Sequence, residues 1–454
     1  MAQSNRLREG TTSPTSSSAF REALRLAWPA TLSMLLHAAY RVNDQFWIQD
    51  LGAPAQAAMG VTAFYLILNF GFINVVSAGA LARIARFTGS GEVAKRDITF
   101  RTTMWVGLGW FLTVGALGWM ASPWLVAAAG SQGEVATFAN DYLSTIYLVL
   151  PLIALKPVVD VVFLGLGNTF LPMILAACAV GINFALNPIL IYGWGPIPAL
   201  GIAGAAWATG FSKGLSGGVG LWLLWRKWKM SPSRLGVGLH ETKRIAAIGA
   251  PVGLFAGSYA IIFLILLKTS IEPLGQSVQA GLGVAFNGVE SLAYCGLMGP
   301  ATAASSMVGR ALGAKQWHYA RQAMRACWAM SALVAGVFTI LFLTSSEWLS
   351  SLYTNDPAVQ QEAARYLWIV AFGQVITATD AVMQQAMTGA GRTLKMSLLN
   401  TAGFAIRIPL AWALSGPLGW GAAGIWWALN IANTAKLAAM VALFRKMQIF
   451  RPHP

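Results

Sequence analysis

The chain has 454 residues, of which 56% are hydrophobic and only 10% charged, against about 25% charged in soluble domains, so an ordinary water-soluble domain is excluded. The formal charge of +15 does not point to nucleic acid, because Lys and Arg gather in short loops on alternate sides of the apolar stretches. Cys178, Cys295 and Cys327 show no CxxC spacing, which leaves no support for a disulfide framework or a thiolate metal site.

In chain order, a Ser/Thr-rich tail (TTSPTSSS) comes first and lacks the apolar core of a signal peptide, so residues 1–24 are expected to be a disordered cytoplasmic tail. Apolar stretches of the roughly 20 residues a span needs follow near 26–48, 56–82, 102–121, 141–165, 171–192, 201–225, 245–268, 278–305, 326–345, 364–388, 396–415 and 420–444. Basic residues fill the tail and most of the alternate loops, among them Arg83, Arg86, Lys95, Arg226, Lys227, Arg310 and Arg392, whereas the opposite loops hold only Lys268 and Arg365 and carry Asp50, Glu134, Glu272 and Asp356. The positive-inside rule therefore places both termini in the cytoplasm of an inner or plasma membrane protein.

The halves repeat each other. LGAPAQAAMGV (51–61) matches LGQSVQAGLGV (274–284), Pro29 matches Pro251, GNT (167–169) matches GRT (391–393), and GIAGAAWA (201–208) matches GAAGIWWA (421–428). The expected fold is all-α and membrane-embedded: twelve spans in two parallel six-helix lobes, 25–226 and 245–447, joined by a cytoplasmic linker at 227–244 and followed by a tail at 448–454. Repeats of this kind place a substrate site between two lobes.

Several motifs resemble those of the multidrug and toxic compound extrusion (MATE) family, in its bacterial NorM/DinF-like branches. The first span reads WPATLSMLLHAAYRVNDQFW, the fifth NFALNPILIYGWG and the sixth GIAGAAWATG; later come MVGRALGAKQWHYARQA, TGAGRT, RIPLAWAL and GWGAAGIWWA. The resemblance runs from about residue 25 to 447. It implies two lobes around a central cleft, exchanging H⁺ or Na⁺ for organic, often cationic, compounds. Independently, no GxxxxGK[ST] loop is present, which leaves an ion gradient as the driver. The partners expected are a small-molecule substrate and the lipid bilayer, without nucleic acid, resident cofactor or metal, for a monomer. The nearest rival is a lipid-linked or polysaccharide flippase of the same broad fold; a membrane-bound transferase is disfavoured because the four histidines are scattered.

An ionisable side chain at membrane depth costs at least about 2.5–3.5 kcal/mol, so each is a functional candidate. These are Arg41, Asp44, Lys156, Asp160, Lys213, Glu290, Asp380, Arg407 and Lys436. Asp380 resembles the tenth-helix aspartate that relatives use in cation coupling, and Glu290 could bind a cation from the eighth span. Asp44 matches the family's first-helix aspartate, but Arg41 three residues earlier could neutralise it. Asn183 and Asn187 lie one turn apart on one face, and Asn187 stands where many relatives have Asp. No acid follows Pro251, where other relatives carry a seventh-helix Glu; both departures weaken a Na⁺ site. Lys156 and Asp160 are spaced as an i,i+4 pair. His37 is expected to be a hydrogen-bonded core residue before a proton relay.

Overall fold

A computed structural model describes residues 16–230 and 238–450. The tail before Ser16, linker residues 231–237 and residues 451–454 lie outside the described residues. The helices are α1 (Ser16–Ile48), α2 (Ala53–Ser90), α3 (Val93–Ala128), α4 (Gly133–Leu148), α5 (Leu150–Gly165), α6 (Phe170–Tyr192), α7 (Ile202–Trp228) and α8 (Leu239–Leu266). Then follow α9 (Gln276–Leu282), α10 (Ser291–Gly313), α11 (Trp317–Ser351), α12 (Pro357–Ala371), α13 (Gln374–Gly389), α14 (Leu394–Ala405), α15 (Arg407–Ser415) and α16 (Gly421–Met447).

Seven of the described helical stretches are long and apolar enough to cross a membrane, and nine if each bent pair is one span. The bent pairs are α4/α5 at 54° and α12/α13 at 60°. α9 runs into α10 through a π-helical stretch, Gly283–Glu290, and α14 meets α15 at Ile406. Joined across these four interruptions, the helices of the described residues make twelve rods, the number expected from the sequence. The fold is that of an all-α, multi-pass membrane protein. Where the sequence suggested a disordered tail through residue 24, α1 already begins at Ser16. Ala19 and Ala23 are fully buried there among Ala301, Ala303, Ala304 and Met307, contacts 280 residues distant that local composition cannot reveal.

The described residues divide into two compact units: 16–31, 89–91 and 257–450 form one, and 32–88 with 92–230 and 238–256 the other. The boundaries at Thr31 and Ala256 fall inside α1 and α8. In the first unit, α11, α12 and α16 bury Phe342, Tyr366, Leu367 and Trp426. In the second, α4, α5 and α7 bury Tyr142, Tyr147, Leu150 and Ala205. Between membrane helices the hydrophobic effect is weak, so close packing of small residues does much of the work. A Cβ on Gly299 would lie 1.8 Å from the Thr31 hydroxyl, and one on Gly249 1.9 Å from the Val75 carbonyl; each helix pair approaches this closely because those positions are glycine.

Candidate functional site

In the unit formed by 32–88, 92–230 and 238–256, α1, α6 and α7 bring a polar cluster together. Asn43, Asp44 and Trp47 lie on α1, with 43 and 47 one turn apart. Asn183 and Asn187 lie one turn apart on α6, and Thr209 and Lys213 one turn apart on α7. Asp44 is 5% exposed and both asparagines are fully buried. Asn187 donates to Asp44 Oδ1 at 2.9 Å and the Thr209 hydroxyl donates to Asp44 Oδ2 at 3.3 Å. Asn183 donates to the Thr209 oxygen at 3.3 Å and accepts from Asn43 at 2.7 Å; the Asn43 carbonyl in turn accepts from the Trp47 indole at 3.0 Å. Asn187 turns its amide nitrogen to Asp44, while its Oδ1 is buried without a hydrogen-bond partner.

This geometry corrects one expectation. Arg41 is exposed and forms no ion pair with Asp44 among the described residues; the carboxylate is held by neutral donors. The nearest cation on the same cluster of helices is Lys213, whose ammonium sits over the Tyr40 ring, 4.7 Å from its centroid. A carboxylate bonded to neutral donors, acted on by the Lys213 charge but in no ion pair among the described residues, can take up a proton or a small cation without first breaking a salt bridge.

Asp380 and Glu290 are in the other unit, in two further groups. Asp380 Oδ2 accepts from Lys436 at 2.7 Å and from Gln384 at 2.6 Å, with Asp380 and Lys436 both buried. Glu290, at the end of the π-helical stretch, accepts from the Tyr366 hydroxyl at 2.5 Å. Lys156 pairs with Asp160 at 2.5 Å, the local pairing its spacing predicts. His37 donates through Nδ1 to the Ser33 carbonyl at 2.6 Å.

Sequence reasoning named Asp44, Asn183 and Asn187 separately and missed Asn43, Trp47 and Thr209. A signal existed for Thr209: it is one turn before Lys213, already singled out as an intramembrane cation. Lys436 was recognised as a buried cation, but its partner was not; so deep a cation needs a carboxylate, and only Asp380 and Glu290 were candidates in that half.

The MatE family profile matches residues 29–189 and again 254–413. The chain is 27% identical over 443 residues to "Probable multidrug resistance protein NorM" of Deinococcus radiodurans, covering 93% of this chain and 94% of the relative. To the protein of the same description from Thermotoga maritima it is 24% identical over 413 residues, covering 89% and 88%. A "FAD transporter" of Shewanella oneidensis is 24% identical over 420 residues, 91% of each. Among solved structures, the outward-facing conformation of a multidrug resistance MATE family transporter superposes with a TM-score of 0.87 at 20% identity, over 95% of this chain and 96% of that one. A MOP superfamily transporter from Pyrococcus furiosus gives 0.83 at 20% identity with the same coverage.

Proposed function

From the premise that this chain belongs to the MatE family of transporters, we propose that it is a secondary active antiporter that exports organic small molecules, cationic or amphipathic, in exchange for H⁺. It carries no resident cofactor and works as a monomer in the inner or plasma membrane, with both termini cytoplasmic. Two lobes alternately open a central site to either side. Multidrug resistance relatives covering nearly the whole chain support the substrate class, and the Lys/Arg asymmetry supports the orientation.

One observation carries the coupling assignment: Asp44 is buried at membrane depth and bonded to the neutral side chains of Asn187, Thr209 and Asn183, with no ion pair among the described residues. Asp380, by contrast, is fixed by Lys436, and protonating it would leave a buried ammonium uncompensated. Asp44 is therefore the proton carrier, with Asn183 and Asn187 positioning it, Asp380 a fixed charge, and Glu290 a contact for cationic substrate. Asn187 in place of a second acid favours H⁺ over Na⁺, since one carboxylate suffices for a proton. The test is efflux from proteoliposomes under a pH difference, then under a Na⁺ difference at fixed pH. Asp44→Asn should abolish pH-driven efflux while binding of substrate persists. Undiminished pH-driven transport by that variant would remove Asp44 from the coupling, and a strict Na⁺ requirement would replace the ion.

A further inference from the structure

Arg407, half-buried, stands apart from the other cations at membrane depth. It opens α15, at the interruption in the middle of the 394–415 span, and lies deep in the hydrocarbon core by its place in the sequence. Lys156 is paired with Asp160 and Lys436 with Asp380. Arg407 forms no ion pair among the described residues. Its Nη2 donates to the neutral amide oxygen of Asn433 at 2.6 Å, its guanidinium lies over the Phe404 ring 3.9 Å from the centroid, and its Nε is buried with no partner. The carboxylates that act on it electrostatically are Glu290 and Asp380, together with the phenols of Tyr259 and Tyr366. Both carboxylates are engaged elsewhere: Glu290 by Tyr366 and Asp380 by Lys436.

An Arg head held by one amide and one ring, with an unused donor, has unmet capacity for an anion. A guanidinium presents its donors as a planar fork that suits a carboxylate or phosphate. Beside it runs a row of partly buried rings. Tyr259 meets Phe404 edge-on at 5.1 Å, Tyr259 stacks toward Phe263 at 6.3 Å, and Phe263 stacks on Phe286 at 5.4 Å. Phe286 belongs to the π-helical stretch that ends at Glu290, and such bulges recur at functional sites. Two helix irregularities thus meet this one group of side chains.

We propose that Arg407 anchors an anion-recognising subsite within the unit holding 257–450, which takes the carboxylate of an aromatic solute whose rings lie along Tyr259, Phe263 and Phe286. The proposal rests on the reading of the chain as a carrier of organic molecules and adds to the cationic substrates a further amphipathic class: solutes bearing an acidic group on an aromatic body, including zwitterions whose cationic end reaches Glu290. In the first half of the repeat the position equivalent to Arg407, 224 residues earlier as for GNT and GRT, is Asn183. The anion site therefore belongs to one half only.

The test uses the full chain in nanodiscs, with coumarin-3-carboxylate and its uncharged ethyl ester as probes and empty nanodiscs as the blank. The wild type should bind the acid at least about tenfold more tightly than the ester, after the blank is subtracted. Arg407→Gln should bring the ratio close to one by weakening the acid alone, and Arg407→Lys should restore part of it. Equal binding of acid and ester by the wild type, no measurable binding of the acid, or a ratio unchanged in Arg407→Gln overturns the subsite. Should Arg407→Gln not fold, the wild-type ratio and Arg407→Lys still decide. Failure of the antiport reading shows elsewhere, as probe transport indifferent to any ion gradient, and leaves the binding ratio untouched.

Discussion

Lys436 and Asp380 are 56 residues apart in the chain and 2.7 Å apart in space, and the pair sets what each can do alone. Removing one partner of a buried pair typically costs about 3–5 kcal/mol, because the other charge is left without compensation. Lys436→Met should therefore lower the melting temperature more than the double variant Asp380→Asn/Lys436→Met, measured in the same detergent. A double variant less stable than the single one would show that the pair is not what matters there. The same reasoning separates the two aspartates in transport: Asp380→Asn should retain a pH-driven component that Asp44→Asn lacks. Loss of pH-driven efflux in folded Asp380→Asn protein would move the coupling to that residue.

At the level of helices, the periodic and apolar signals made the rods legible and their interruptions mostly invisible. Hydropathy gives the same high value to a straight rod and to one bent by 54° at Val149 or 60° near Gly373, since bending changes geometry without changing composition. The i,i+4 pair Lys156–Asp160 was readable because its spacing alone brings the charges together. The bond from Asn187 to Asp44 joins residues 143 apart and depends on which helices become neighbours. The start of α1 shows the same limit. Glu22 accepts from Arg310 at 2.8 Å and from the Tyr319 hydroxyl, tying α1 to α10 and α11. Burial alone would raise the Glu22 pKa, but the Arg310 charge and these hydrogen bonds bring it below the usual glutamate range. A carboxylate with a depressed folded-state pKa adds stability above its unfolded pKa and loses it as the pH falls through the folded one. Glu22→Gln should accordingly cost about 1 kcal/mol near neutral pH, and its melting temperature should converge on that of the wild type in acid. A gap that persists below the folded-state pKa of Glu22 would contradict this origin.

For the whole molecule the charge pattern makes two statements. A cysteine introduced as Lys95→Cys should react with an impermeant reagent only from the cytoplasmic side; labelling of intact cells from outside would reverse the orientation. If one proton enters for each monovalent organic cation that leaves, no net charge moves, whereas uncompensated export of that cation would oppose about 2.3 kcal/mol per 100 mV. Efflux of a monocation should then persist with the potential clamped at zero while the pH difference is kept, and its loss under the clamp would refute one-for-one exchange. The division of the chain at Thr31 and Ala256 bears on how such a protein could be taken apart. Neither half of the repeat contains a complete unit: residues 16–31 are built into the unit holding 257–450, and residues 238–256 into the other. A polypeptide ending at residue 230 would lack the first 18 residues of α8, which its own α2 receives at Val75 and, through Arg83, at Glu241. One beginning at residue 238 would lack the α1 segment that seats Ala301 and Arg310. Severed in the linker, the two pieces should be degraded when made singly and survive when made together, each completing the other as a swapped arm does in a two-chain protein.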